Sequence, residues 1–185
     1  MGAIIYAART TDGQQPAVRR MAEAASQTFL MGTPVEYLSA SSGVAAWDGT
    51  TYTGLILGFC MEPASNLTTA GVAKTLTYGS VPNQSSAVKI PRGAPLNDGR
   101  INVLLAKGET IFYGLFSTTA AATDIGVSYG LTKDSDNLWY VDKAKTTTSG
   151  GGSTNQAVVR IVALDPNNTK GVFFKVLAAA SQEII

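Results

Sequence analysis

The chain of 185 residues is nearly neutral and poor in chemically reactive side chains. It has 14 Lys and Arg against 13 Asp and Glu, a formal net charge of +1, no histidine and one cysteine. The missing histidines exclude Ser-His-Asp and Cys-His catalysis and His-ligated zinc or iron. A single cysteine excludes an intrachain disulfide, and the balanced charge argues against a dedicated nucleic-acid-binding protein. Because no segment has the roughly 18 apolar residues of a membrane span, we expect no membrane part.

Residues 1–27 differ in composition from the rest of the chain. An apolar start is followed by the polar stretch 10–15, and Pro16 then precedes the good helix formers of residues 17–26. The spacing of the apolar residues predicts a weak amphipathic helix over 17–26. A poorly ordered terminus is the alternative that the sequence leaves open. We therefore expect an N-terminal arm over 1–27, partly helical or extended.

From Phe29 onward the sequence is typical of β-structure. Short runs rich in Val, Ile, Thr, Tyr and Phe are separated by Gly, Pro, Asn and Asp. The runs from which strands are expected are 34–38, 44–47, 53–61, 72–78, 87–90, 101–106, 110–116, 129–132, 138–142, 157–164 and 171–177, and not every run need form a separate strand. This pattern predicts an all-β fold, an antiparallel β-barrel or β-sandwich of about nine or ten short strands, with a single domain over 28–185.

The connections between these strands carry their own signals. Asp48-Gly49 is a hairpin signature and predicts that strand 53–61 returns along strand 44–47. The stretches 107–109, 134–137 and 165–168 are also expected to be hairpin loops. One short helical turn is predicted over 120–125, capped by Thr119.

Two loop motifs superficially suggest ligand sites. The glycine run at 150–152 is followed by neither Lys nor a helix, so it predicts a loop rather than a phosphate-binding site. Asp134, Asp136 and Asn137 resemble the start of a calcium loop, but the later bidentate Glu is missing, which favours a hairpin turn.

Few other residue types offer chemistry. Cys60 lies in the most apolar run and has no histidine to activate it, which favours a core role. Trp47, Trp139 and Tyr140 suit either the core or an aromatic sugar-binding platform, and the core reading is favoured. Nothing places two carboxylates across a cleft for glycoside hydrolysis; the glutamates away from the chain ends include Glu36, Glu62 and Glu109. We therefore expect no catalytic, metal-binding or cofactor-binding residues.

Several stretches of turn and strand sequence fall between residues 28 and 180. They are GTPV at 32–35, VAAWDGT at 44–50, LGF at 57–59 running into EPASN at 62–66, PLNDGR at 95–100, TDIG at 123–126 through YGL at 129–131 to WYVD at 139–142, and VALDP at 162–166. Together they resemble the capsid decoration (head cement) proteins of tailed bacteriophages.

That resemblance implies a β-rich, non-enzymatic virion protein. Such proteins bind the outer surface of an icosahedral shell, often as trimers, and reinforce it against the pressure of the packaged genome. The expected partners are the major capsid protein and further copies of the chain, with a trimer favoured and no nucleic acid, membrane or cofactor. The expected location is the outer capsid surface, after synthesis in the host cytoplasm.

The arm 1–27 is the predicted bridge to the shell. Apolar anchors and cations that would meet an acidic shell surface make up the expected contact set: Ile4, Ile5, Tyr6, Arg9, Arg19 and Arg20. An arm that orders on docking pays its conformational entropy at that moment. Two alternatives remain open, namely another virion component (tail, fibre or baseplate) and a carbohydrate-binding β module that uses Trp47 or Trp139.

Overall fold

The computed structural model describes residues 5–49, 55–65, 67, 70, 99–147 and 156–182. These ranges contain eleven strands: β1 (Tyr6–Thr10), β2 (Val18–Ala22), β3 (Pro34–Leu38), β4 (Gly43–Ala46), β5 (Gly58–Cys60), β6 (Arg100–Leu105), β7 (Thr110–Leu115), β8 (Ser128–Lys133), β9 (Trp139–Asp142), β10 (Val159–Leu164) and β11 (Gly171–Val176). Single 3-10 turns lie at Ser39–Ser41, Ala122–Asp124 and Ala178–Ala180. The predicted all-β class is confirmed.

The strands form two antiparallel sheets that pack together as a sandwich. One sheet has the order β1-β7-β11-β10-β8-β9 and the other β2-β6-β5-β3-β4. Phe112 and Phe174 of the first sheet lie against Phe59 of the second, with ring centroids 4.5 and 6.2 Å from that of Phe59. This shared apolar layer is the main core, because the inward side chains of both sheets meet there.

A second, smaller core lies on the other side of the five-stranded sheet. It contains Met21, Val35 and Val44, among others, and it is enclosed because that sheet curls until its two edges meet. The N–H of Ala24, just after β2, donates to the carbonyl of Val44 in β4 at 2.9 Å. Gly43 allows this approach, since a Cβ there would lie 2.7 Å from the Ala24 nitrogen.

The helix predicted over 17–26 is wrong, whereas the extended alternative for residues 1–27 matches their described part, which pairs with both sheets instead of forming a separate arm. Residues 18–22 form β2, which pairs with β6 along its whole length, and residues 6–10 form β1, which pairs with β7. A ten-residue helix has little stability alone in water, whereas pairing with β6 satisfies the backbone and buries Met21. The described part of residues 1–27 thus supplies the end strand of each sheet.

Two predicted hairpins are also wrong. The described part of the predicted strand 53–61 does not return along β4 after Asp48-Gly49, because β5 pairs with β3 and β6. The loop 107–109 does not join paired strands either. It carries the chain from β6 in one sheet to β7 in the other, and the Thr110 N–H donates to the Lys107 carbonyl at 2.9 Å. Loop chemistry specifies a reversal of direction but not which sheet receives the next strand.

The other two hairpins and the helical turn are confirmed. The stretch 134–137 joins β8 to β9, with Asn137 at a φ of 61°, and 165–168 joins β10 to β11. The turn at Ala122–Asp124 is capped by Asp124, whose carboxylate accepts the Ala121 N–H at 2.7 Å, and not by Thr119. The strands predicted at 72–78 and 87–90, the glycine run 150–152 and Ile4 lie outside the described residues.

Candidate functional site

Ile5 is a core residue and not an anchor for a partner. Its side chain is 2% exposed and packs in the main core, where one Cγ lies 3.5 Å from the position that a Cβ on Gly114 would take. The expectation that Ile5 contacts the shell is therefore wrong. Its neighbour Tyr6 faces outward instead, because successive residues of a strand point to opposite faces.

The structure does not bring the three predicted arginines together. Arg9 lies on β1 at the edge of the six-stranded sheet, opposite Ile111. Arg19 and Arg20 lie on β2 in the five-stranded sheet, and as consecutive strand residues they point to opposite faces. The predicted basic cluster of all three is therefore wrong.

Tyr6 belongs to a row of aromatic side chains across the outer face of the six-stranded sheet. Tyr6 on β1 lies opposite Tyr113 on β7, which lies opposite Phe173 on β11. The ring centroids of Tyr6 and Tyr113 are 5.2 Å apart and those of Tyr113 and Phe173 are 5.3 Å apart. We call these three residues the aromatic row. Tyr6 is 51% exposed, so the row ends in a ring that solvent reaches.

Tyr113 is held in place by the turn between β10 and β11. Its hydroxyl donates to Asp165 Oδ2 at 3.0 Å and accepts from Asn168 Nδ2 at 3.2 Å. A Cβ on Gly171 would lie 2.6 Å from the same hydroxyl, so glycine is needed there. Burial and the hydrogen bond to Asp165 raise the pKa of Tyr113. The aromatic row thus has a fixed central ring.

Sequence reasoning found Tyr6 but missed its two partners. The signal was present in β11, where Val172, Phe174 and Val176 are buried and the alternating residue Phe173 faces out. Only the strand order shows that Phe173, Tyr113 and Tyr6 are neighbours, since they come from strands far apart in sequence.

A buried polar cluster stabilises the stretch before β8. The Asp124 carboxylate accepts hydrogen bonds from Lys143 Nζ at 2.6 Å, from the Tyr129 hydroxyl at 2.7 Å and from the Ala121 N–H. Burial alone would raise the pKa of Asp124, but the hydrogen bonds, above all that from Lys143, outweigh it and lower the pKa. Burial and the same carboxylate raise the pKa of Tyr129 to about 12. These groups satisfy one another, which is a structural arrangement.

Two glutamates also have structural partners. Glu23 is fully buried, and its two carboxylate oxygens accept the Ser65 N–H at 2.9 and 3.0 Å. Glu62 accepts the Asn102 N–H at 2.6 Å. Through these hydrogen bonds the segment after β5, which contains Glu62 and Ser65, is held against β6 and the end of β2. Burial, followed by the charge of Asp48, raises the pKa of Glu36.

Cys60 and the two tryptophans are core residues. Cys60 is 2% exposed, its thiol donates to the Leu30 carbonyl, and burial raises its pKa to about 12. Trp47 and Trp139 are each 4% exposed and pack on one another with ring centroids 5.6 Å apart. A sugar-binding platform built on Trp47 or Trp139 is therefore wrong, because a platform needs an open ring face.

Two clefts lined by described residues differ in size. The larger, of about 700 Å³, has a mixed apolar and polar lining that includes Leu57, Leu105, Lys107, Glu109, Val176 and Ser181. The smaller, of about 190 Å³, has a lining that includes Trp47 and Trp139. Among the described residues, no three His, Cys, Asp or Glu side chains group closely enough to hold a metal ion. No helix in the same ranges is long and apolar enough to cross a membrane.

Comparison with known proteins adds no relative. No family model matches the chain, and no curated protein is significantly similar to it in sequence. The similarity to phage decoration proteins therefore stays a prediction that rests on the motifs themselves.

Proposed function

We propose that this chain is a non-catalytic structural protein of a tailed-phage virion that binds the outer surface of the capsid and reinforces it. The observation that carries the proposal is the aromatic row, three rings in register on the outward face of a sheet and ending in the exposed Tyr6. Tyrosine is enriched at the energetic centres of protein interfaces, because its ring provides large contact area with little loss of side-chain entropy.

The fold suits a reinforcing role. The aromatic row stands on β1, β7 and β11, whose other face packs in the main core, so the rings are presented by a rigid support. Binding to the major capsid protein through such a face costs little ordering, since Tyr113 is already fixed by Asp165. Many copies on one shell, and association of copies as trimers, multiply weak contacts through avidity.

Purified virions provide the first test. We expect mass spectrometry to find the chain in the particles and cryo-electron microscopy to place its density on the outside of the shell. Absence from the particles contradicts the proposal. Density on the tail, fibre or baseplate contradicts capsid reinforcement and supports the alternative virion role.

Binding to purified shells that lack the protein tests the aromatic row itself. We expect Tyr6→Ala to weaken binding about tenfold, because truncation of the exposed tyrosine removes contact area from the row. Val18→Ala is the matched control, since Val18 is 50% exposed on β2 of the other sheet. Equal weakening by both variants shows that the row has no special role.

A further inference from the structure

Three cations lie beside the aromatic row on the same face of the six-stranded sheet. On β11, Lys175 follows Phe173 by two residues and therefore points to the same side. Lys175 lies directly opposite Arg160 on β10, and Arg9 lies opposite Ile111 on β7. With strands about 4.8 Å apart, a line from Arg9 across β7 and β11 to Arg160 is about 15 Å long. We call Arg9, Lys175 and Arg160 the cation row.

Within the described part of the chain, the cation row has no carboxylate partner. Arg9 and Arg160 are exposed and Lys175 is half-buried. Like charges directly opposite one another across two strands are destabilising, as Lys175 and Arg160 are here. An anionic partner that binds beside Lys175 and Arg160 would relieve this repulsion.

One member of the row is already oriented for such a partner. Arg160 Nε donates to the carbonyl of Gly126 at 3.0 Å, in the loop between the 3-10 turn and β8. That bond restrains the orientation of the guanidinium. Beside it the loop exposes Ile125 and Val127, which are 50% and 37% exposed. A restrained guanidinium next to exposed apolar side chains is typical of protein interfaces.

We propose that the aromatic row and the cation row together form one docking face for an acidic protein surface, with carboxylates of the shell placed against Arg9, Lys175 and Arg160. This inference rests on the proposed function and specifies the chemistry of the partner. In this proposal the cations that contact the shell lie on the outer face of the six-stranded sheet, and not on β2, which carries Arg19 and Arg20.

Single-stranded nucleic acid is the other polyanion that aromatic and basic side chains on a sheet bind. The observations favour the protein. The net charge of the whole chain is only +1. The rings also pack on each other, Tyr6 against Tyr113 and Tyr113 against Phe173, which leaves one ring more than half exposed instead of a series of separate stacking surfaces.

Charge reversal tests the docking face. The double variant Lys175→Glu/Arg160→Glu is compared with wild type in sedimentation binding to purified shells that lack the protein, between about 0.05 and 0.5 M salt. We expect the affinity at low salt to fall about tenfold or more and the salt dependence of binding to decrease. Arg19→Glu, on the other sheet, is the matched control and is expected to bind within about twofold of wild type. Lys175→Gln/Arg160→Gln, which introduces no new charge, is expected to weaken binding less than the reversal, and unfolding midpoints verify that each variant folds.

The outcomes separate the inference from the proposed function. If wild type binds shells and the charge-reversal variant binds them with the same affinity, the docking face is overturned and the proposal of capsid binding stands. Wild-type protein that binds no shells overturns the proposed function and this inference with it. A labelled twenty-nucleotide oligothymidine is the last probe. If wild type binds it more tightly than it binds the shell, and the double variant does not bind it, the face is a nucleic-acid site and the inference is overturned.

Discussion

The carboxylate of Asp124 and the ammonium group of Lys143 form a 2.6 Å ion pair that joins the 3-10 turn before β8 to the segment that follows β9. The ammonium group also donates to the Thr119 carbonyl at 2.8 Å and lies 4.5 Å from the centroid of the Phe116 ring. Three parts of the chain between residues 116 and 143 thus meet at one buried carboxylate.

Replacing that carboxylate should destabilise the fold. We expect Asp124→Asn to lower the free energy of unfolding by about 2 kcal/mol, because hydrogen bonds to a charged group are lost and Lys143 keeps an uncompensated charge. Asp136→Asn, in the exposed turn between β8 and β9, should change it by less than about 0.5 kcal/mol. Urea unfolding followed by the fluorescence of the buried tryptophans measures both. Equal stability of wild type and Asp124→Asn contradicts the role of this ion pair.

The contribution of Asp124 should depend on pH in a defined direction. Its pKa in the folded protein lies below the ordinary value of 3.8, so the stability it provides is fully present above that value. It is lost as the pH falls through the folded-state pKa, because the protonated acid no longer pairs with Lys143. We expect the difference in unfolding free energy between wild type and Asp124→Asn to be constant from pH 7 to about 5 and to shrink below about 4. A difference that grows on acidification has the wrong sign for this mechanism.

Closure of the five-stranded sheet should depend on the missing side chain of Gly43. A Cβ there would lie 2.7 Å from the nitrogen and 2.9 Å from the Cα of Ala24, and backbone cannot move aside as a flexible side chain does. We expect Gly43→Ala to cost about 2 kcal/mol of unfolding free energy. Gly108→Ala meets no atom within 4 Å and should be neutral or slightly stabilising, since alanine restricts the unfolded chain. Similar stability of both variants in urea unfolding rules out tight closure at Gly43.

Substitutions of the neighbours Ile5 and Tyr6 should differ in their effect on stability, because Ile5 is buried in the core and Tyr6 is exposed on the surface. Ile5→Ala should lower the free energy of unfolding by about 3 kcal/mol, because it leaves a cavity in the main core. Tyr6→Ala should lower it by about 1 kcal/mol or less, since the ring is half exposed, while it weakens shell binding. Thermal unfolding by circular dichroism measures the first effect. An Ile5→Ala variant as stable as wild type indicates that this segment is a detachable arm.

The local sequence predicted the strands well because their side chains alternate and their ends carry turn residues. β3 was predicted with its observed bounds, and β7, β10 and β11 within two residues at each end. β2 was missed because the sequence around Arg19 and Arg20 is rich in alanine and other good helix formers, and this pattern predicts a helix. What overrides that preference is pairing with the backbone of β6, which lies roughly eighty residues further along the chain.

The sequence alone determined the fold class, the core role of Cys60 and the turns at 134–137 and 165–168, because each depends on residues close together in the chain. Only the tertiary structure decided that β6 and β7 belong to different sheets and that Ile5 is buried. It also placed Tyr6 and Arg9 on the same sheet face as Tyr113, Phe173, Lys175 and Arg160. The physical reason is that a surface built across strands depends on strand order and register, which are fixed by backbone pairing between distant segments. A net charge near zero for the whole chain therefore gave no indication that one sheet face carries basic and aromatic side chains together.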